Sequence, residues 1–251
     1  MKIVLHGLNE VICNEFYQRV VDQMLHEITP FQSVDEDYEA DVVICFYTDD
    51  ITEDIISYCT SKVTPLLLVR PWNKNNDLPF KNHEFLNTTV TIRDLLITDK
   101  SSKWGPSDVN SWMNSLLIGE KLDHTFPSRF WVSISDTVEA LLVLIENQEI
   151  FGDEILLSGR KCWNPKELIS ELEILWTRFS KVKSNNLGIS ELEVQEPLLV
   201  QSSYDGEKPN LERLHLLLKE VNGYGWTPRT PMRVTLMKCL AGIEKITKSK
   251  S

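Results

Sequence analysis

Positive charge is what this chain is shortest of: 26 Lys and Arg stand against 37 Asp and Glu, a formal net charge of −11 over 251 residues. A protein that holds nucleic acid neutralises phosphates with a basic face, so nucleic acid is excluded as an expected partner. The one basic run, Lys245-Ile246-Thr247-Lys248-Ser249-Lys250, reads as a short, frayed tail. Long apolar stretches are missing too. Nothing approaches the ~20 residues a membrane span needs, so no membrane partner is expected. Paired cysteines are absent: Cys13, Cys45, Cys59, Cys162 and Cys239 are scattered, odd in number and never spaced as CxxC. They read as reduced thiols in a cytoplasmic protein, and the five dispersed histidines give a zinc site no support. No basic-then-apolar leader precedes the first strand. Gly-x-Ser-x-Gly elbows and phosphate-binding P-loops do not occur.

What is present is an alternation of strand and helix patterns. Ile3–Leu5 is a short apolar strand, and Val11 to Leu25 sets Ile12, Phe16, Val20 and Met24 on one helical stripe. The continuous apolar, β-branched run Asp41-Val42-Val43-Ile44-Cys45-Phe46 predicts a strand covered on both faces. A short helix over Ile51–Cys59 and a buried strand at Pro65–Val69 follow. Trp72 to Asn87 has no sustained period and reads as loop; Thr88 to Thr98 resumes a strand. Strands alternating with helices predict an α/β fold: a Rossmann-like, doubly wound, mostly parallel sheet.

The second half is more helical. Asp108–Leu117 and Ser135–Glu146 are amphipathic, and Glu154–Leu157 is a short strand. Asn164-Pro165-Lys166-Glu167 is a helix start with Asn at N-cap, Pro at N1 and Glu at N3, and its helix turns Leu168, Leu172 and Leu175 inward. A second start at Pro209-Asn210-Leu211 opens a helix carrying Leu211, Leu214 and Leu218 that ends near Gly223. Lys181 to Gln201 is the weakest-patterned stretch. The expected division is a shortened Rossmann-like domain over 1–125, a remainder with a small C-terminal α/β lobe over 126–243, and the basic tail 244–251.

Five segments, in order, carry a resemblance. They are Trp104-Gly105-Pro106, Arg129-Phe130-Trp131-Val132-Ser133-Ile134-Ser135-Asp136-Thr137-Val138-Glu139-Ala140-Leu141, Glu154–Gly159, the Pro165 helix, and Gly225-Trp226-Thr227-Pro228-Arg229-Thr230. Together they resemble the extended short-chain dehydrogenases/reductases of the NAD-dependent epimerase/dehydratase group, which act on nucleotide sugars. The resemblance spans roughly residues 88 to 243. It implies a Rossmann-like domain interleaved with a small substrate lobe, NAD or NADP as cofactor, and a nucleotide sugar as ligand.

Against that pattern the chain departs at the chemistry. The family's GxxGxxG loop maps onto Gly7, Glu10 and Cys13. The second glycine of such a loop lets backbone approach the pyrophosphate, and the third permits close helix–strand packing. Cys13 is small enough for a packing position. Glu10 is not neutral to a phosphate: at 4 Å the repulsion is ~1 kcal/mol in water and ~4 kcal/mol at a partly buried site. Its charge suits the N-terminus of the following helix, worth ~0.3–1 kcal/mol. The family's Tyr-x-x-x-Lys pair, in which tyrosine is the general acid/base, belongs between the strands at Val69 and Thr88, where no tyrosine occurs. About 15 residues (26–40) separate the first helix from the next strand, too few for the family's two further strands and helix. Asp35, Glu36 and Asp37 there read as a solvated turn, and Asp49, Asp50, Glu53 and Asp54 as caps and solvated charge, not a metal site.

Arg129 takes the place of an arginine that in the family commonly contacts the substrate's diphosphate. A guanidinium suits bidentate phosphate binding, and a salt bridge at a domain edge is the alternative. Asp136 and Arg229 read as structural. The expected protein has lost the dinucleotide site and the catalytic pair, has no catalytic residues, and binds a nucleotide sugar, a protein partner or a second copy of itself. The alternative is a working, atypical NAD(P)-dependent member; a purely structural subunit is a third possibility.

Overall fold

The computed structural model describes residues 1–33, 36–47, 53–72, 87–97, 103–147, 152, 154–183 and 207–248. Five strands follow in the first part: β1 (Lys2–His6), β2 (Glu27–Pro30), β3 (Val42–Phe46), β4 (Leu66–Pro71) and β5 (Asn87–Ile92). Helix α1 (Val11–Gln23) lies between β1 and β2, and α2 (Glu53–Lys62) between β3 and β4. Beyond them come β6 (Leu95–Leu96), α3 (Ser107–Ile118), β7 (Val132–Ser133), α4 (Ile134–Glu146), β8 (Glu154–Leu157), α5 (Pro165–Lys183), α6 (Glu212–Asn222) and α7 (Met232–Lys248).

Six strands form one sheet in the order β2-β1-β3-β4-β5-β8, and every neighbouring pair is parallel. β8, from the second half of the chain, pairs with β5, so the sheet draws on both halves. The residues that point to one face (Ile3, Leu5, Val42, Ile44, Phe46, Leu67, Val69, Val90 and Ile92) share a core with α1, α4 and α6. Val4, Val43, Cys45, Leu66 and Leu68 point to the other face and pack with Ile55, Tyr58 and Cys59 of α2. Burial on both faces is why β3 and β4 are continuous apolar runs. A second core joins α3, α5 and α7 to Leu96 and Trp131 beside the two-stranded β6-β7 sheet.

Four local expectations are corrected. Met24 ends α1 in the left-handed region (φ 51) instead of extending its stripe, and its side chain is 90% exposed. A short edge strand, β2, lies between α1 and β3. The strand expected over Thr88–Thr98 breaks at Asp94, whose φ is 57. The backbone of α7 continues to Lys248, so helix replaces the first part of the expected tail. The cap at Asn164 forms as expected, its Oδ1 accepting the Lys166 N–H; at the second helix start Leu211 is the N-cap residue and the Asn210 Oδ1 accepts the Glu212 N–H. The expected loop over 73–86, the acidic pair Asp49 and Asp50, Asp35, and the weak stretch from 184 onward lie outside the described residues.

Candidate functional site

In an open parallel sheet, ligands bind beyond the carboxyl ends of the strands where the winding reverses. Here that point lies between β1 and β3, the strands that flank the switch from β2 to the rest of the sheet. Gly7 begins the turn from β1 into α1 with φ +97, and a Cβ there would meet the Phe46 carbonyl oxygen at 2.8 Å. The turn is pressed against the last residue of β3, so glycine is required by both conformation and space. The Glu10 N–H donates to the Gly7 carbonyl at 2.8 Å and closes the turn.

Glu10 occupies the N-cap position of α1 in an extended conformation, but its side chain makes no capping hydrogen bond. Its Oε2 instead accepts the indole N–H of Trp104 at 2.6 Å. This corrects the expectation of a capping carboxylate. Trp104 is only 2% exposed, and a buried indole N–H needs an acceptor because no water reaches it; a carboxylate supplies a strong, charge-assisted one. The Trp104 ring packs on Phe46 with centroids 6.1 Å apart. Its position is fixed by Gly105, where a Cβ would lie 2.5 Å from the Leu95 carbonyl oxygen. A carboxylate and an indole thus stand together at the turn where the resemblance places the pyrophosphate loop.

Cys13 is fully buried. Its thiol lies 3.6 Å from the His6 carbonyl oxygen that accepts from it, and burial pushes its pKa up, so it packs helix on strand and has no thiolate reactivity to offer.

Arg129 faces two carboxylates. Its Nε and Nη2 donate to Asp108 at 2.6 and 3.1 Å, and its Nη1 donates to Asp94 at 3.4 Å. Both aspartates are buried. Burial pulls the guanidinium pKa down, and the hydrogen bonds and charges of Asp108 and Asp94 outweigh it, so the group is held above its ordinary value. Asp94 also accepts the Phe130 N–H at 3.0 Å, which is what turns the chain out of β5. Sequence reasoning passes over Asp94 and Asp108 because neither sits in a recognisable motif.

Two of the segments that carry the resemblance are bonded to each other. Asp136 Oδ1 accepts the backbone N–H groups of Arg229 and Thr230 at 2.9 and 3.1 Å. Its Oδ2 accepts the Ser133 hydroxyl, whose oxygen in turn accepts the Asp136 N–H. Asp136 thus braces the start of α4 against the Pro-Arg-Thr turn, the structural role the sequence assigns it. Trp226 anchors the same turn through its indole N–H, which donates to the Ser158 carbonyl at 2.9 Å.

A Tyr-x-x-x-Lys spacing does exist, at Tyr58 and Lys62, but on α2, before β4 and not after it. The Tyr58 hydroxyl donates to the Tyr38 carbonyl at 3.0 Å, and Lys62 pairs with Asp37 at 2.5 Å. This pair ties α2 to the segment before β3. Among the described residues no group of His, Cys, Asp and Glu is placed to hold a metal ion.

No protein-family model matches the chain, and no curated protein matches its sequence. The likeness to solved structures is one of shape. dTDP-glucose 4,6-dehydratase from Bacillus anthracis, in complex with NAD, aligns with a TM-score of 0.63 at 12% identity, covering 98% of this chain and 97% of that one. UDP-glucuronic acid 4-epimerase from Bacillus cereus, also with NAD, gives 0.62 at 13% identity, covering 99% and 98%. RMD from Pseudomonas aeruginosa, complexed with NADPH, gives 0.61 at 10%, covering 97% and 99%. The chain has the fold of the extended nucleotide-sugar epimerases and dehydratases, in shortened form and at low identity.

Proposed function

We propose that this is an epimerase/dehydratase-like protein that has given up the dinucleotide and hydride transfer. It works as a nucleotide- or sugar-nucleotide-binding, regulatory or complex-forming protein, in the cytoplasm, with a homodimer or another protein as possible assembly. The observation that carries this reading is the hydrogen bond between Trp104 and Glu10. A charged, part-buried carboxylate repels the pyrophosphate it would have to face, and the indole tied to it is part of the core and cannot leave without exposing Phe46. The absence of tyrosine between β4 and β5 removes the general acid/base the fold's relatives use. Arg129 enters as a brace: a ligand diphosphate would have to compete with Asp108 and Asp94 for every nitrogen it has.

The test is a thermal-shift series with UDP- and dTDP-sugars, together with a hydride-transfer assay in NAD and NADP. The proposal expects no turnover, and a stabilising shift with a nucleotide sugar if that ligand is the one retained. Turnover above background with any nucleotide sugar would overturn it. The second reading, an atypical active enzyme, is favoured by the neighbours solved with NAD or NADPH and by the intact Gly7 turn. That assay separates the two.

A further inference from the structure

A cleft of about 440 Å³ is lined by residues of α1, α4, α6 and α7 and by the turn that contains Arg229, and it shares none of Gly7, Glu10 and Trp104. Three of its residues are cationic: Arg19, Arg229 and Lys238. Arg19 approaches Glu139 at 3.8 Å, but Arg229 and Lys238 have no carboxylate partner among the described residues. The guanidinium of Arg229 lies over the Tyr224 ring, 4.4 Å from its centroid. The Lys238 ammonium donates to the Ser135 hydroxyl at 2.7 Å, in the first turn of α4. The acidic residues of the cleft do little to neutralise these cations. Asp136 is buried with its oxygens on Ser133, Arg229 and Thr230, and the Glu139 side chain is 63% exposed.

In a protein with a net charge of −11, two unneutralised cations converging on one concavity are a local reversal of sign. Such a cleft concentrates an anion at its mouth. Its volume falls in the lower part of the range for small-molecule sites, too small for a dinucleotide. A planar guanidinium, an ammonium and a hydroxyl from three separate elements form the donor set that phosphate oxygens accept. We propose that this cleft binds a small ligand through a phosphate group held by Arg229, Lys238 and Ser135. The site is independent of the crevice above Gly7, so it stands whether or not the dinucleotide is lost.

The test uses the full chain and pyrophosphate as the probe, by isothermal titration calorimetry at low ionic strength. The structural duty of Arg229 is carried by its backbone N–H, and both Arg229 and Lys238 are exposed, so Arg229→Gln/Lys238→Gln keeps the fold, as circular dichroism will verify. Wild type is expected to bind saturably with a Kd of about 1 mM or tighter, and the double variant at least roughly tenfold more weakly. Glu10→Gln, which alters only the Gly7 crevice, is expected to leave that affinity unchanged. Three results overturn the proposal: no saturable binding by wild type, equal binding by the double variant, or citrate binding tighter than pyrophosphate.

Discussion

Trp104 and Glu10, 94 positions apart in the chain, meet in a 2.6 Å hydrogen bond from indole N–H to carboxylate. The bond joins the N-cap of α1 to the segment that follows β6, and it stands at the turn where the fold's relatives are expected to admit a cofactor. Trp104→Phe keeps most of the packing and removes the donor, leaving the carboxylate without its charge-assisted partner. The expected loss is about 1.5–3 kcal/mol, a fall in Tm of about 3–12 °C at this chain length. Glu10→Gln keeps an acceptor and is expected to cost about 1 kcal/mol. Equal melting of Trp104→Phe and wild type would show that the bond does not form in solution.

Gly7 is required by the Phe46 carbonyl that presses on it. Gly7→Ala would place a Cβ 2.8 Å from that oxygen in a backbone conformation of φ +97. The combined strain and clash are expected to cost about 2–4 kcal/mol. Urea unfolding is the measurement, with the midpoint falling and the slope unchanged.

Arg129→Ala removes the counter-charge of the buried Asp108 and leaves the buried Asp94 with Arg93 at 3.7 Å, which costs about 3–5 kcal/mol. Arg129→Lys keeps a charge but loses the bidentate geometry on Asp108, and is expected to fall between. The readout is again the denaturant midpoint. A diphosphate-contacting arginine would behave differently: its loss would weaken nucleotide-sugar binding while leaving the midpoint near that of wild type.

The N-terminal end of the sheet gives the chain a pH dependence. His26 is nearly buried, its Nε2 has no hydrogen-bond partner among the described residues, and Glu146 of α4 stands 3.9 Å away. Burial, and then the Met1 ammonium, hold its pKa below the ordinary value, only partly opposed by Glu146. The folded state therefore binds its proton less readily than the unfolded chain. Stability from this group is present above about pH 6.5, the ordinary histidine value, and falls as pH drops below it, by at most about 1.4 kcal/mol per pH unit. His26→Gln is expected to flatten the melting profile between pH 7 and 5. An unchanged profile would show that His26 is not its source.

Where burial is complete, the sequence announces itself. β3 and β4 are legible because helices cover both faces of Val42–Phe46 and Leu66–Val69, leaving only apolar residues. β2 is not, because a four-residue edge strand, Glu-Ile-Thr-Pro, carries no such run. Met24 fits the stripe of α1 and yet lies outside the core, because the helix closes on a left-handed residue that no glycine marks. The break at Asp94 depends on the Phe130 N–H 36 residues on, and no local pattern contains it. The same holds for the site. Gly7, Glu10, Cys13 and Arg129 are visible as positions, but what faces each of them (Phe46, Trp104, His6, Asp108) is decided by tertiary contact.

The proposed loss of the dinucleotide is tested most directly by titrating NADH and NADPH into the wild-type protein, following energy transfer from the tryptophans to the reduced nicotinamide. The account predicts no saturable signal up to about 1 mM cofactor, a binding free energy weaker than about −4 kcal/mol. A hyperbolic, competable signal with a sub-millimolar Kd for either cofactor would contradict it.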